Sequence, residues 1–147
     1  MIYNSNMKQV TSRRITKYTG DVLSIICQLQ HATNAEIASR MRESYPDVSD
    51  TTVHRITQRL HNDGAIGLAP SSKQGCLRYD FSPEPHDHFI CSQCDRLQDI
   101  NVPDSLRCQI ERQLDGCCFD GPLVITGACQ QCKNKRRSAE PDRKSVV

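Results

Sequence analysis

Four cysteines stand in two pairs that have the spacing of a zinc site. The pairs are Cys91 with Cys94 and Cys129 with Cys132, and 34 residues separate them. Two thiolates two residues apart can reach the same ion, and two such pairs complete the tetrahedron of sulfur ligands that structural Zn²⁺ prefers. A redox dithiol would need a helix N-terminus and a thioredoxin-like surround, which the neighbouring sequence does not predict. We therefore expect one structural zinc ion.

Histidine and aspartate side chains form a second candidate set. His86 and His88 lie on one face of a predicted strand, and Asp80 and Asp99 stand six residues before and eleven after this pair. Imidazole and carboxylate ligands suit Fe²⁺, Mn²⁺ or Zn²⁺ at five or six coordination. His31, which we place at the start of the second helix, could supply a fifth ligand. A His-x-His pair is also common on polar surfaces, so the spacing leaves that interpretation open.

The other cysteines have no ligand spacing, and we expect them to be buried or idle thiols. They are Cys27, Cys76, Cys108, Cys117 and Cys118. Nine cysteines are an odd number, which does not suit the disulfide framework of an exported domain. Metal binding in a reducing compartment is the better interpretation, and we place the chain in the cytoplasm.

Length and composition limit the class of protein. With 147 residues, 37% hydrophobic and 5% aromatic, the chain can form one domain or two small ones, whose thin core a metal ion or a partner subunit would supplement. The longest apolar stretch, residues 22–27, is far shorter than the ~20 residues that a membrane-spanning helix needs. Residues 1–20 lack the apolar core of a secretory signal. The sequence thus predicts neither membrane insertion nor export.

Charge is distributed unevenly along the chain. Residues 1–83 carry 10 basic and 7 acidic side chains, residues 84–132 carry 3 and 8, and residues 133–147 carry 6 and 2. This pattern is compatible with a first part that binds a polyanion and a middle part that binds cations, although an ordinary solvated surface would also produce it.

Three short helices are predicted before residue 65. The apolar stripe of the first is Val22, Ile25, Ile26 and Leu29. Thr33 and Glu36 have the spacing of a capping box and open the second, whose apolar face is Ile37, Ala38 and Met41. The third is capped by Ser49 or Asp50 and stops at residues 62–64.

The third helix is predicted to present a polar, basic face to solvent. Val53, Ile56 and Leu60 form its apolar stripe. The opposite face then carries Thr51, Thr52, His54, Arg55, Gln58 and Arg59 and has no acidic residue. We identify Arg55 and Arg59 as the best candidates for base or phosphate contacts on DNA, with Thr51, Thr52 and His54 nearer the end of the helix that usually points at base edges.

A hairpin completes the first domain. Residues 65–69 predict a strand, residues 70–75 a turn, and the alternation of Leu77, Tyr79 and Phe81 a returning strand. Three helices followed by a hairpin predict a winged helix-turn-helix over residues 1–82. The Pro-rich residues 83–86 predict a hinge.

Residues 87–133 predict a small α/β element. Strands are expected at residues 89–91, 97–102 and 123–126, with a helix that Pro103 opens and Gly116 ends. Residues 134–147 are basic and lack an apolar pattern, so they predict a disordered tail. The fold class is therefore α+β.

The sequence resembles the ferric uptake regulator family. The resemblance covers about residues 12–133 and rests on YPDVSDTTVHRI at 45–56, RYDF at 78–81, HDHFICSQC at 86–94 and GACQQC at 127–132. It implies a homodimer, an N-terminal winged helix that reads double-stranded DNA, a C-terminal α/β dimerisation domain and a structural zinc held by the two CxxC pairs.

The resemblance also implies a regulatory metal site. The family's ligands fall on His31, Asp80, His86, His88 and Asp99, a set that looks most like the peroxide-sensing branch. The iron-sensing branch more often has Glu at the positions of Asp80 and Asp99. The resemblance therefore favours peroxide sensing through Fe²⁺ or Mn²⁺, with Zn²⁺ as a further possible occupant.

Four positions depart from the family pattern. Leu106 and Gly121 stand where Glu and His would form an additional metal site, so we expect that site to be absent. His54 replaces the usual Tyr of the recognition helix, and Thr19 replaces an Arg that would touch phosphate. These departures bear on the DNA sequence that is read, and not on the fold.

These observations together predict a metal-dependent transcriptional repressor, most similar to peroxide sensors. An iron- or zinc-uptake regulator of the same family is the alternative. A zinc hydrolase or thiol oxidoreductase is the rival from another class, but no Glu stands beside the His-x-His pair as a general base. We therefore predict that the chain is not an enzyme and has no catalytic residues.

Overall fold

The computed structural model describes residues 17–139, and the chain divides into two compact units. The first unit ends at Pro85 and the second begins at His86. Residues 1–16 of the predicted winged-helix domain and residues 140–147 of the predicted tail lie outside the described residues. Among residues 17–139, no helix is long and apolar enough to cross a membrane.

The first unit contains three helices and a three-stranded sheet. The helices are α1 (Lys17–Leu29), α2 (Asn34–Ser44) and α3 (Asp50–Asn62), and the strands are β1 (His31–Thr33), β2 (Gly67–Ala69) and β3 (Arg78–Asp80). The strands are antiparallel in the order β1-β3-β2, so β2 and β3 form the wing. This is a winged helix-turn-helix, and the α+β fold class is confirmed.

The starts of α2 and α3 follow from their capping residues. Thr33 Oγ1 accepts a hydrogen bond from the Glu36 amide at 3.2 Å, and the Glu36 carboxylate accepts one from the Thr33 amide at 2.7 Å. Ser49 Oγ accepts a hydrogen bond from the Thr52 amide at 3.1 Å. These bonds satisfy amides that lack partners within the helix. The predicted capping box and the Ser49 cap are confirmed.

The core of the first unit is built mainly from the predicted apolar stripes, although Ile25 and Leu29 of the α1 stripe and Ile56 of the α3 stripe are only partly buried. The buried side chains are Val22, Ile26, Ala32, Ile37, Ala38, Met41, Val48, Val53, Leu60, Ile66 and Tyr79. Ile56 is only partly buried, whereas Thr57 is fully buried. The Thr57 hydroxyl donates to Asn34 Oδ1 at 2.8 Å, which compensates its burial and joins α3 to the start of α2.

His31 lies on a strand, and its predicted position at the start of the second helix is wrong. Gln30 has a φ of 64°, a left-handed conformation that ends α1 and turns the chain into β1. Its carbonyl accepts a hydrogen bond from the Phe81 amide at 2.9 Å. Strand β1 then pairs with β3, so that His31 stands opposite Asp80.

The second unit contains a three-stranded sheet and two helices. The strands are β4 (Asp87–Cys91), β5 (Leu97–Ile100) and β6 (Val124–Gly127), and the helices are α4 (Asp104–Glu111) and α5 (Gln130–Ala139). The sheet order is β5-β4-β6, with β5 antiparallel and β6 parallel to the central strand. Strand β4 thus brings its side chains between both neighbours.

The strands of this unit lie within two residues of their predicted bounds, whereas two other predicted elements differ more. The helix after Pro103 ends at Glu111, and turns follow up to Gly116, which has a φ of 88°. The disordered tail predicted from residue 134 is wrong over residues 134–139, which belong to α5. The second CxxC pair opens this helix, since the Lys133 amide donates to the Cys129 carbonyl at 2.9 Å, and no helix-breaking residue follows before Pro141.

Candidate metal sites and nucleic-acid interface

The four paired cysteines come together in the second unit. Cys91 ends β4, Cys94 lies in the turn after it, Cys129 precedes α5 and Cys132 lies in its first turn. Their sulfur atoms all lie within 4.8 Å of one another, and Cys94 Sγ is 3.7 Å from Cys129 Sγ. Four sulfurs at ~2.3 Å from a central Zn²⁺ would be about 3.8 Å apart. The arrangement therefore fits tetrahedral zinc.

The backbone around this cluster favours a thiolate at Cys91. Amides of Cys94 and Cys129 point at the Cys91 sulfur, the latter at 3.3 Å, and they lower the pKa of this thiol to about 5. The pKa of Cys129 is lowered too, mainly by the Cys132 amide. The pKa of Cys132 is raised to about 12 by the hydrogen bond with Cys129 and by burial. Four thiols packed this closely cannot all ionise without a cation among them.

The sheet of the first unit brings together one imidazole and one carboxylate. His31 and Asp80 are directly opposite in the β1–β3 pair, and His31 Nε2 is 3.5 Å from Asp80 Oδ2. Both side chains are largely buried. The Asp80 carboxylate also accepts a hydrogen bond from the Ser82 amide at 2.8 Å, which fixes its orientation. The distance between His31 Nε2 and Asp80 Oδ2 is suitable for two ligands of one metal ion.

The sheet of the second unit brings together two imidazoles and one carboxylate. Asp99 Oδ1 lies 3.0 Å from His86 Nε2 and 3.4 Å from His88 Nε2. The centroids of the two imidazole rings are 4.3 Å apart. Neighbouring ligands about 2.1 Å from an ion are about 3.0 Å apart in an octahedron and 3.4 Å in a tetrahedron. The three side chains therefore fit a divalent cation with mixed nitrogen and oxygen ligands.

Asp87, between the two histidines, is a residue that the sequence reasoning missed. Its side chain accepts hydrogen bonds from the Leu123 amide at 2.8 Å and the Val102 amide at 3.0 Å, and it pairs with Arg107. Burial raises the pKa of this carboxyl, but these hydrogen bonds outweigh it and hold the pKa at about 2. The sequence signal that could have identified Asp87 is an acidic residue at an inward-facing position of a central strand, because a buried carboxylate needs partners.

Arg107 is held by the backbone as well as by Asp87. Its Nε donates to the Val102 carbonyl and its Nη1 to the Gly121 carbonyl, each at 3.3 Å. Gly121 is one of the two positions where the family resemblance would place a ligand of an additional metal site. In this chain it provides a carbonyl oxygen to a guanidinium group.

Helix α3 carries the predicted nucleic-acid contacts. Thr51, His54, Arg55, Gln58 and Arg59 are exposed, and Thr52 is half-buried beside the helix cap. His54 Nδ1 lies 3.2 Å from Asn34 Nδ2, which orients the ring at the junction with α2. Thr19, by contrast, is buried in α1 and does not face a ligand on the outside. Helix α3 thus presents Arg55 and Arg59 to solvent.

The family model of the ferric uptake regulators matches residues 10–115 of the chain. The chain belongs to the ferric uptake regulator family. The match includes the winged-helix unit and ends before Cys129 and Cys132. The resemblance inferred from the sequence is thus confirmed.

Relatives and solved structures agree with this membership. The peroxide-responsive repressor PerR of Staphylococcus saprophyticus is 26% identical over 125 residues, which cover 83% of this chain and 84% of that protein. A zinc-bound manganese uptake regulator has a TM-score of 0.70 at 22% identity and covers 86% of this chain and 99% of its own. The Helicobacter pylori ferric uptake regulator has a TM-score of 0.65 at 22% identity and covers 86% of each chain. The two structures establish likeness of fold.

Proposed function

We propose that the chain is a homodimeric, metal-dependent repressor that binds a double-stranded DNA operator in the cytoplasm and senses peroxide through bound Fe²⁺ or Mn²⁺. One observation supports this most. Metal-ligand side chains with suitable spacing are present in both units: His31 with Asp80 in the winged helix, and His86 and His88 with Asp99 in the second unit. We assign all five to one regulatory ion.

Binding of one ion by both units would control DNA binding through their arrangement. The ion would favour the arrangement in which the five ligands converge, and this shift of population would place two winged helices at the separation of successive half-sites. To shift such an equilibrium from about 1:99 to 99:1, the ion must bind the favoured arrangement ~10⁴-fold more tightly. The apo-protein would bind DNA weakly.

Helix α3 is the element proposed to enter the major groove. Arg55 and Arg59 are four residues apart on its exposed side, and the exposed acidic residue at its start, Asp50, pairs with Arg42 of α2. Arginine in the major groove pairs bidentately with guanine, and it also binds phosphate. Thr51, Thr52 and His54 lie near the N-terminus of the helix and complete the proposed contact set.

An apolar face of the second unit supports the homodimer. Within residues 17–139, helix α4 has no buried residue, and Leu106 and Ile110, four residues apart on one side of it, remain 43% and 36% exposed. On β6, Val124 is 51% exposed, and Ile125, on the opposite face of the strand, is 42% exposed. Large apolar side chains exposed together, as on α4, favour a covered interface. A second copy of the same face is the occupant that we propose.

The two metal sites have different proposed roles. The cluster of Cys91, Cys94, Cys129 and Cys132 would hold structural Zn²⁺, because a closed set of four thiolates leaves no open position. The histidine and aspartate set would hold Fe²⁺ or Mn²⁺, since nitrogen and oxygen ligands suit these ions. The nine thiols would stay reduced in the cytoplasm.

Peroxide would act on the histidine ligands. When Fe²⁺ is bound it supplies the redox chemistry that cleaves the O–O bond of hydrogen peroxide. One oxygen atom would be added to a ring carbon of His31 or His86, which would lose two electrons to the peroxide, and the other oxygen would leave as water. The oxidised ring would be a poorer ligand, so the metal and the DNA would be released. Mn²⁺ would protect, because it does not perform this reaction.

Metal analysis of anaerobically purified protein, with operator binding measured before and after brief peroxide exposure, tests the proposal. We expect one zinc per chain, tight operator binding with Fe²⁺ or Mn²⁺, and loss of binding after peroxide only in the iron form. Operator binding that needs metal but resists peroxide would instead indicate an iron- or zinc-uptake regulator. Operator binding that needs no metal would contradict the proposal.

A further inference from the structure

Asp87 is the only residue between the two proposed histidine ligands, and its side chain is anchored on the other side of β4. Successive side chains of a strand point to opposite faces, so His86 and His88 face away from Asp87. The Asp87 carboxylate contacts the Leu123 and Val102 amides and the Arg107 guanidinium. It therefore connects β4 to the residue before β6 and to the segment before α4.

His86 depends on this anchor more than His88 does. Strand β4 begins at Asp87, so His86 lies just outside the ladder of backbone hydrogen bonds. His88 is inside the ladder, where it pairs with Asp99 and its amide donates to the Leu123 carbonyl at 2.9 Å. The direction of the His86 side chain therefore depends on the backbone of Asp87 together with its contact to Asp99.

Arg107 completes the anchor. Its guanidinium pairs with Asp87 and donates to two backbone carbonyls, those of Val102 and Gly121. Val102 thus both donates to Asp87 and accepts from Arg107, which closes a ring of hydrogen bonds behind β4. Asp87 is 4% exposed, so its carboxylate is held in position by these protein partners and not by solvent.

We infer that Arg107 is a positioning residue for the regulatory metal site, acting through Asp87 on the directions of His86 and His88. The inference rests on the proposed function, because it needs those histidines to bind metal. Residues that do not touch the metal but hydrogen-bond to its ligands orient those ligands. Their removal typically lowers metal affinity by about 10- to 100-fold. We expect an effect of that size on the regulatory ion, with no loss of zinc.

The test is Mn²⁺ affinity of the full-length, zinc-loaded protein, measured for wild type, Arg107→Ala, Arg107→Lys and a matched control, Arg112→Ala. Arg112 is exposed five residues further along the chain, just after α4, and its replacement removes the same charge. We expect Arg107→Ala to weaken Mn²⁺ binding about 10- to 100-fold, Arg107→Lys to be intermediate, and Arg112→Ala to match wild type. The ligand-field spectrum of bound Co²⁺ should change in Arg107→Ala and stay as in wild type in Arg112→Ala, and a loss of stability would not produce such a change.

Two results would overturn the inference. One is wild-type or tighter Mn²⁺ binding in Arg107→Ala, which would mean that Arg107 acts only by its charge or not at all. The other is loss of zinc and folding in Arg107→Ala and also in Arg107→Gln, which would make Arg107 a structural residue. His88→Ala separates this outcome from failure of the proposed function. If His88→Ala binds Mn²⁺ as wild type does, the proposed metal site itself is wrong.

Discussion

His88 stands directly opposite Asp99 in the antiparallel pair of β4 and β5, with its Nε2 3.4 Å from Asp99 Oδ1. The same relation holds in the other unit, where His31 stands opposite Asp80. Sheet register therefore determines both ligand separations. A shift of one residue would turn the side chains of one strand to the other face and remove the ligand pair.

Removal of one thiol should unfold the second unit. We expect Cys94→Ser to lose about one zinc per chain together with the dimer, because zinc binding at such sites contributes roughly 10 kcal/mol or more to folding. Metal analysis and sedimentation check this. Cys118→Ser is the control, since Cys118 is exposed and outside the cluster. A zinc-free Cys94→Ser that stays dimeric with unchanged melting would contradict the prediction.

Loss of Arg55 should weaken operator binding by about 1–3 kcal/mol and relax the preference at one base pair, if the side chain pairs bidentately with guanine. Binding titrations on operators with single base changes measure this. Arg40→Ala, which removes an equally exposed arginine from α2, should have a smaller effect. Equal losses on operator and random DNA, with a salt slope reduced by about one, would assign Arg55 to a phosphate contact.

A charge on the apolar face of α4 should dissociate the dimer. Ile110→Asp should weaken dimerisation by about 2 kcal/mol or more, the size of effect seen at central interface positions. Leu77→Asp is the matched control, because Leu77 is similarly exposed but belongs to the first unit. Analytical ultracentrifugation over a range of concentrations compares them. Equal dissociation constants for Ile110→Asp and wild type would place the interface elsewhere.

A longer carboxylate at position 99 should slow the response to peroxide. Asp99→Glu keeps a carboxylate opposite His88 but moves its oxygens by one methylene, which changes the position of the ion relative to the two histidines. We expect operator binding with Fe²⁺ to persist and histidine oxidation to slow. Peptide mass analysis after timed peroxide exposure measures this. No added oxygen on His31 or His86 of the wild-type iron form, with DNA binding retained, would rule out the peroxide sensor.

The stabilising effect of Asp87 should depend on pH in the acid range. The pKa of Asp87 is lowered from 3.8 to about 2, so the folded state prefers the ionised form. Its contribution is therefore fully present above pH ~4 and is lost as pH falls toward 2. The difference in free energy of unfolding between wild type and Asp87→Asn should shrink over this range. A difference that stays constant from pH 5 to pH 2 would contradict it.

Elements with strong local signals could be predicted from the sequence. The capping box of Thr33 and Glu36 and the cap at Ser49 use side chains within three residues of the amides that they bind, so local spacing is sufficient. The convergence of the two thiols within each CxxC pair is also a matter of local spacing, whereas the pairing of β4 with β6 brings the two pairs together. That these thiols and the histidine and aspartate side chains bind metal stays a prediction.

Features that depend on distant partners could not be predicted. Strand β1 has three residues, too few for an alternating pattern, and it exists because β3 pairs with it. Helix α5 has no apolar stripe, and it starts from the second CxxC pair. The contacts of Asp87 with Leu123 and Arg107 join residues 36 and 20 positions away. Periodicity within one segment contains no information about such pairs.

Asp80 lies on β3, which is also one side of the wing, where it stands opposite Gly67 of β2. An ion held by His31 and Asp80 would therefore be attached to the same three-stranded sheet that presents the wing to DNA. Under the proposed function, linkage then requires reciprocity: the factor by which the ion raises affinity for the operator equals the factor by which the operator raises affinity for the ion. A repressor already on DNA would keep its ion at concentrations at which the free protein loses it. Occupied operators would be the last to respond to metal shortage.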